Sequence, residues 1–286
     1  MEENKKQKIG FFKRLKIAIF KLEDYGFFLG ERFKVALKYF LLLMLLISIV
    51  VSAVDAYTIS KMLSKGKVYL ENEFPEFTYE EGVLNLNEKI DAYDHEYEFK
   101  LLVDTTENLS DEEIKDYKTK TKNNPYGIIL LRDKFIYVAS GIEAEYDYEE
   151  FLNSSSLEIK NKEDLISVFF ETATPAVITT FFAVDLLTVY IANTIMTFTD
   201  VIVIALFGLI AARFCGLKFK VLPMFSIGIY SFSLSLVLTA IYSVVYGLTG
   251  FVINYFNVMY LLIAYVYIIA AILMIKYDLI KQHFEL

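Results

Sequence analysis

Long apolar runs alternate in this chain with one central region whose apolar positions recur every second residue. From Val35 to Val54 the chain reads VALKYFLLLMLLISIVVSAV, with Lys38 its only charge. About 20 apolar residues match a hydrocarbon core of about 30 Å, so residues 35–54 predict a first spanning helix. The 34 preceding residues and the weak cleavage signal at Ser52-Ala53-Val54 make it a retained anchor, not a cleaved signal peptide. Further on, Pro175 to Cys215 is apolar for about 40 residues, or about 60 Å if helical. Two more apolar runs, 221–247 and 254–275, predict spans, with a turn at Gly247–Gly250 between them.

The central region alternates as strands do. Phe77–Tyr79 and Val83–Asn87 flank Glu80-Glu81-Gly82, which predicts a β-hairpin with a positive φ at the glycine. Glu98–Val103 predicts another strand. Gly127–Leu131 and Phe135–Ser140 around Arg132-Asp133-Lys134 predict a second hairpin. Between them, Ser110 and Glu113 form a capping box for a helix that Asn123-Asn124-Pro125 should end. The pattern predicts a small α+β domain of about five strands and a helix. Asn161 to Asp164 starts a helix that should stop near Thr174, with a new one beginning at Pro175.

Charge decides the topology. The net charge of −8 divides into blocks: residues 1–38 carry ten Lys and Arg against five Asp and Glu, and residues 55–171 carry thirteen against 27. A basic leader and an acidic centre belong on opposite sides of a membrane, and do not point to nucleic-acid binding. Arg213, Lys218 and Lys220 then belong with the leader, so the apolar stretch after Pro175 should cross once. The expected organisation is a basic amphipathic cytoplasmic leader (1–34), transmembrane helix 1 (35–54), an extracytoplasmic α+β domain (55–165) and outer-surface helices (166–196). Transmembrane helices 2 (197–215), 3 (221–247) and 4 (254–275) and a cytoplasmic tail (276–286) follow. The fold class is an α-helical integral membrane protein of about four transmembrane helices, with a small α+β domain inserted after the first. Phe12, Leu15, Ile19 and Leu22 can share a leader face flanked by Lys13, Arg14 and Lys16, suited to an anionic membrane surface or to packing beneath the bundle.

This order of parts resembles the bacterial membrane family catalogued as domain of unknown function 1189, some members of which are described as maltodextrin-utilisation proteins. The resemblance rests on FFKRLKIAIF before the first span, FPEFTYEEGVLNL, VDTTE, YGIILLRDKFIYV and the small-residue-rich final spans. These motifs are hairpins, turns and spans. They imply a place in the membrane and no catalytic signature.

Candidate chemistry is sparse. His95 and His283 fall in regions expected on opposite sides of the membrane, and there is no HExxH, phosphate loop or GxSxG. Cys215 cannot form an internal disulfide, and nothing beyond His283 being on its side supports a nucleophile pair. DAYDHEYE, 91–98, lacks the glycine and spacing of a calcium loop and reads as a solvated acidic loop. No enzyme, cofactor or metal is expected. Asp185 and Asp200 lie in an apolar stretch, where an ionisable group marks a functional path unless it sits in interfacial water. Arg213 reads as an interface anchor. Ser231, Ser235, Thr239, Ser243 and Gly247 recur every four residues, a ridge that lets another helix approach closely.

These features imply a lipid bilayer and a membrane or envelope protein as partners. The first functional expectation is a non-enzymatic accessory protein that contacts envelope or transporter partners. The alternatives are a membrane sensor of a small extracellular ligand, and a small transporter using the intramembrane Asp residues. A flat apolar patch on the α+β domain favours the first, and a pocket there favours the sensor.

Overall fold

The computed structural model describes residues 9–95, 97–106, 109–122, 124, 126–139, 142–155 and 158–284. In chain order they form helix α1 (Phe11–Phe20), a 3-10 turn (Leu22–Tyr25), α2 (Gly26–Leu29) and α3 (Phe33–Asn72). Strands β1 (Phe77–Glu80), β2 (Val83–Leu86), β3 (Ile90–Asp94) and β4 (Phe99–Val103) precede α4 (Asp111–Lys122). Then come β5 (Tyr126–Leu130), β6 (Lys134–Ala139), β7 (Ile142–Asp147), α5 (Tyr148–Ser155) and α6 (Lys162–Asp164). A π-helical stretch (Leu165–Ala173) leads into α7 (Thr174–Phe214), followed by α8 (Val221–Ser231), α9 (Ser233–Thr249) and α10 (Phe256–Phe284). Among the described residues four helices are long and apolar enough to cross a membrane: Phe33–Asn72, Lys162–Phe214, Val221–Thr249 and Phe256–Lys281. The chain divides into a helical unit, residues 1–58 and 181–286, and an α+β unit, residues 59–180.

In the helical unit each long helix buries one stripe and leaves the other apolar side open. Along α3, Ala36, Tyr39, Phe40, Leu43, Met44 and Ile47 are buried, while Leu41, Leu42, Leu45, Leu46 and Ile49 are exposed. An apolar side facing outward suits lipid, which competes with the core for the same side chains. The inner faces meet in one cluster that includes Val201, Ile204 and Ala205 of α7, Met224 and Ile227 of α8, and Ile268 and Ile272 of α10. Small residues set the spacing: a Cβ added at Gly208 would lie 2.6 Å from Ile268 Cδ1 and 2.9 Å from Met224 Sδ.

The leader packs into this unit. The buried residues of α1 are Ile17, Ala18 and Ile19, whereas Phe12 is exposed. The face buried against the bundle is therefore rotated from the expected one and leaves Phe12 outside it. Tyr25 donates to the carbonyls of Ala18, at 2.8 Å, and Tyr230, at 3.2 Å, and Tyr267 donates to that of Ile19 at 2.8 Å. Glu31 accepts from Arg14 at 2.7 Å and from the Tyr230 hydroxyl at 2.5 Å. The first eight residues of the expected leader lie outside the described residues.

The described residues of the α+β unit hold seven strands in two sheets, where the sequence pattern predicts about five strands. β1 and β2 form a hairpin with a two-residue turn: Glu81 and Gly82 both have positive φ, 50° and 83°. That is the geometry tight hairpins favour, and it shortens the expected connection by one residue. The second sheet has the order β3-β4-β5-β6-β7. β3 arises inside the acidic 91–98 segment expected to be a loop, because pairing Ile90 with Val103 and Ala92 with Leu101 turns its alternate residues onto the sheet. β4 and β5 are parallel, so they need a crossover, and α4 supplies it. Its capping box forms: the Ser110 backbone N–H and hydroxyl both donate to Glu113 Oε2, and the Glu113 N–H donates to Ser110 Oγ. The helix ends at Lys122, and Pro125, expected to stop it, lies outside the described residues.

Helix α4 covers one sheet face with Leu109, Ile114 and Tyr117 over Leu102, Ile129, Ile136 and Val138. On the other face, Phe74, Phe77, Leu84 and Leu86 close over Val103 and Leu130. Each such fully buried side chain contributes about 1.5–3 kcal/mol relative to exposure. The VDTTE segment is the joint between the sheets. Thr105 Oγ1 accepts from the Leu86 N–H at 3.0 Å and donates to the Leu86 carbonyl at 2.9 Å.

Helix boundaries depart from the expectation at several places: α3 runs on to Asn72, past the expected end of the first span at 54, and α8 and α9 divide at Phe232 the expected 221–247 helix. Pro175 does not start a new helix, since Lys162–Phe214 is continuous. Its ring removes an N–H and crowds the carbonyl four residues earlier. The preceding π-helical turns widen the spiral, and Thr172 and Thr174 hydroxyls donate to the Ser167 and Phe169 carbonyls, both at 3.1 Å. No break separates a surface helix ending near 196 from a span starting at 197, as α7 runs through both. Gly247 is helical too; α9 ends two residues later, where Gly250 at φ 69° donates its N–H to the Tyr246 carbonyl.

Candidate functional site

Asp185 and Asp200 occupy one helix, 15 residues apart, so about 22 Å separates them along its axis. The structure does not bring them together. Asp185 instead lies near Asp55 of α3, close enough for the two carboxylates to interact through their charges. Asp55 directly follows the first apolar run, and a reading that ends the span at Val54 leaves it in water. Its position on the buried stripe of α3 was the available signal. Asp200 lies near Tyr260 of α10. Arg213 is exposed in the last turn of α7, where it lines a surface hollow with Gly216, Leu217, Lys218 and Phe219. Among the described residues no three His, Cys, Asp or Glu side chains gather as a metal site would require. The His283 side chain lies outside the described residues.

The four-residue stripe on the third span serves two neighbours. Ser235 Oγ donates to the Tyr260 carbonyl of α10 at 2.8 Å. Gly247 lies against α3, where an added Cβ would collide with Val54. Ser231, Thr239 and Ser243 donate to the carbonyls four residues before them, of Ile227, Ser235 and Thr239. A hydroxyl bonded within its own turn adds smallness to the interface but no cross-link. Ser233, outside the stripe, supplies a second bond between helices, with its Oγ 2.8 Å from the Tyr39 hydroxyl.

The five-stranded sheet has a second candidate surface. Register puts Phe99, Leu101 and Val103 of β4 on the same side as Tyr126, Ile128 and Leu130 of β5. Tyr137 and Phe135 of β6, then Tyr146, Ala144 and Ile142 of β7, continue that side. The row nearest the hairpin is covered: Val103 is buried, and Phe135 packs edge-on against Phe151 of α5. The next two rows are open. Tyr126, Tyr137 and Ile142 are 40%, 39% and 74% exposed, and Leu101, Ile128 and Phe99 are half-buried beside them. A sheet face normally alternates apolar-in and polar-out, so an uncovered apolar face is a surface prepared for contact. At its β3 edge Asp94 shares this side and pairs with Lys65 at 2.8 Å. Sequence alternation alone could not separate this face from the one under α4, because both read as apolar.

Compared with known proteins, the chain matches the family described as Protein of unknown function (DUF1189) over residues 12–272, and it belongs to that family. No curated protein and no solved structure matches it.

Proposed function

We propose that this DUF1189 member is a non-enzymatic membrane accessory protein whose α+β domain and helix bundle contact envelope or transporter partners. The observation that carries this reading is the open apolar sheet face around Tyr126, Tyr137 and Ile142. A flat aromatic surface suits a protein partner with an apolar centre, since aromatic side chains dominate contact energies. The four long apolar helices support a multi-pass protein. The basic leader, Arg213, Lys218, Lys220, Lys276 and Lys281 support both termini in the cytoplasm and residues 55–165 outside the cell membrane.

A photoreactive side chain at Tyr137 tests the contact in native membranes. The expected result is a discrete cross-link to one envelope or transporter protein, lost when Tyr126→Glu and Ile142→Asp are added. Labelling of lipid or nothing at all would remove the docking role. Orientation has its own test through Cys215, which is half-buried at the end of α7. It should react in intact cells with a membrane-permeant thiol reagent and resist an impermeant one, and the reverse would invert the topology.

A further inference from the structure

The connection between α7 and α8 concentrates charge of one sign. Arg213, Lys218 and Lys220 follow one another closely, and no Asp or Glu occurs anywhere from Val201 to Tyr277. All three side chains are exposed, and among the described residues none of them forms an ion pair. Other cations of the chain are matched: Arg14 meets Glu31, and Lys118 and Lys134 both meet Glu145.

Arg213 and Lys218 also share a hollow. With Gly216, Leu217 and Phe219 they line a surface depression of about 450 Å³, within the range of about 300–1,000 Å³ usual for small-molecule sites. Its backbone is fixed. Gly216, at φ 77°, ends α7; its N–H donates to the Arg213 carbonyl at 3.0 Å, and the Leu217 N–H donates to that of Ala212 at 2.9 Å. Leu217 and Phe219 pack against the core of the bundle, so the floor is held while the two cations stay exposed. α8 starts directly after Lys220, with no side-chain cap and no acidic residue in its first turn. The amides of a first turn lack helical partners and add partial positive charge.

The neighbours of the hollow are apolar. Phe214 is 89% exposed, and Val221 and Leu222 are exposed as well. They close α7 and open α8, within segments long and apolar enough to cross a membrane. A cationic hollow bordered by open apolar side chains at helix ends matches the two halves of a phospholipid.

We propose that this hollow binds the phosphate of an anionic phospholipid, with Arg213 and Lys218 as its cationic contacts and Phe214, Val221 and Leu222 against the acyl chains. A guanidinium pairs with phosphate oxygens through two parallel hydrogen bonds, and an ammonium adds a point charge. A zwitterionic lipid fits less well, because no lining residue is acidic and nothing there meets its ammonium group. Free phosphate would leave the apolar border unused.

The sequence has no Trp, so Phe214→Trp places a single fluorophore beside the hollow in the full chain. That chain is reconstituted in mixed vesicles of phosphatidylglycerol and phosphatidylcholine, with the acyl chains of one or the other brominated to quench the fluorophore. Quenching should show phosphatidylglycerol preferred about thirtyfold, the combined effect of two basic side chains near a membrane surface. Adding Arg213→Gln with Lys218→Gln should lower that preference at least tenfold. Lys13→Gln with Lys16→Gln, also exposed, removes the same charge from the leader and should leave it unchanged. Quenching by brominated phosphatidylcholine in each variant reports that it is inserted. Equal quenching by the two lipids, quenching by neither, or an equal loss in the leader variant would overturn the site. Relief of phosphatidylglycerol quenching by millimolar inorganic phosphate would also overturn it and assign the hollow to the free anion.

Discussion

Replacing Asp104 with Ala should destabilise the α+β domain by about 1.5–3 kcal/mol, the scale of lost hydrogen bonds to a buried charged group. Asp104 is 1% exposed. Its Oδ2 accepts from Lys89 at 2.7 Å and from the Tyr117 hydroxyl at 2.8 Å. Its Oδ1 accepts from the Thr106 hydroxyl at 2.6 Å and the Thr106 N–H at 3.2 Å. The carboxylate thereby ties the end of β4 to α4 and to the segment before β3. Hydrogen exchange on the full chain checks this, with amides of β4 and β5 expected to lose protection first.

The same group makes an acid prediction. Burial by itself would raise the Asp104 pKa, but the hydrogen bonds from Lys89, Thr106 and Tyr117 outweigh it and hold the value below the ordinary carboxylate range. A lowered folded value means stability present above the unfolded carboxylate pKa of about 3.9 and lost as pH falls through the folded one. Native protein should lose this contribution only below about pH 4. Asp104→Asn should be destabilised at neutral pH and lack that acid-dependent component. Identical acid profiles for the two proteins would show that the carboxylate charge contributes nothing.

Glu31→Ala should loosen the leader from the bundle at a larger cost, about 3–5 kcal/mol. The Glu31 side chain is 9% exposed and the Arg14 side chain 14%, so Ala would leave a mostly buried guanidinium without its counter-charge. The Tyr230 hydroxyl, on a side chain stacked with Phe28 at 3.6 Å between centroids, would lose its acceptor as well. The expected readout is a lower unfolding midpoint in detergent and new protease cleavage within residues 11–30. A cycle with Arg14→Ala separates the pair from packing: the double variant should be less destabilised than the two single losses added together. Full additivity would mean that the ion pair contributes no coupling.

Much of the α+β domain was legible because its signals are local. The Gly82 turn, the Ser110 capping box and the alternation of β5 and β6 each need only a few neighbouring residues. Strand β3 was hidden, as its acidic residues read as solvated until β4 supplied a partner. The leader shows the same limit. A basic helix with several apolar residues can bury either of two faces, and Tyr25, Tyr230 and Tyr267 from distant parts of the chain decide which.

The candidate sites divide in the same way. Asp185 and Asp200 stood out as charges within an apolar run, and the Ser231-to-Gly247 stripe as a repeat of small residues. Their partners did not. Asp55 became relevant only when the fold brought it within range of the Asp185 charge.

By itself the sequence determined four apolar helices, a small α+β insertion and family membership, because hydropathy, turn chemistry and caps act over short stretches of chain. Tertiary structure alone decided which face of the leader is buried and which sheet face stays uncovered. Those depend on register between elements far apart in sequence, and a shift of one residue in a strand or a quarter-turn of a helix would reverse each of them.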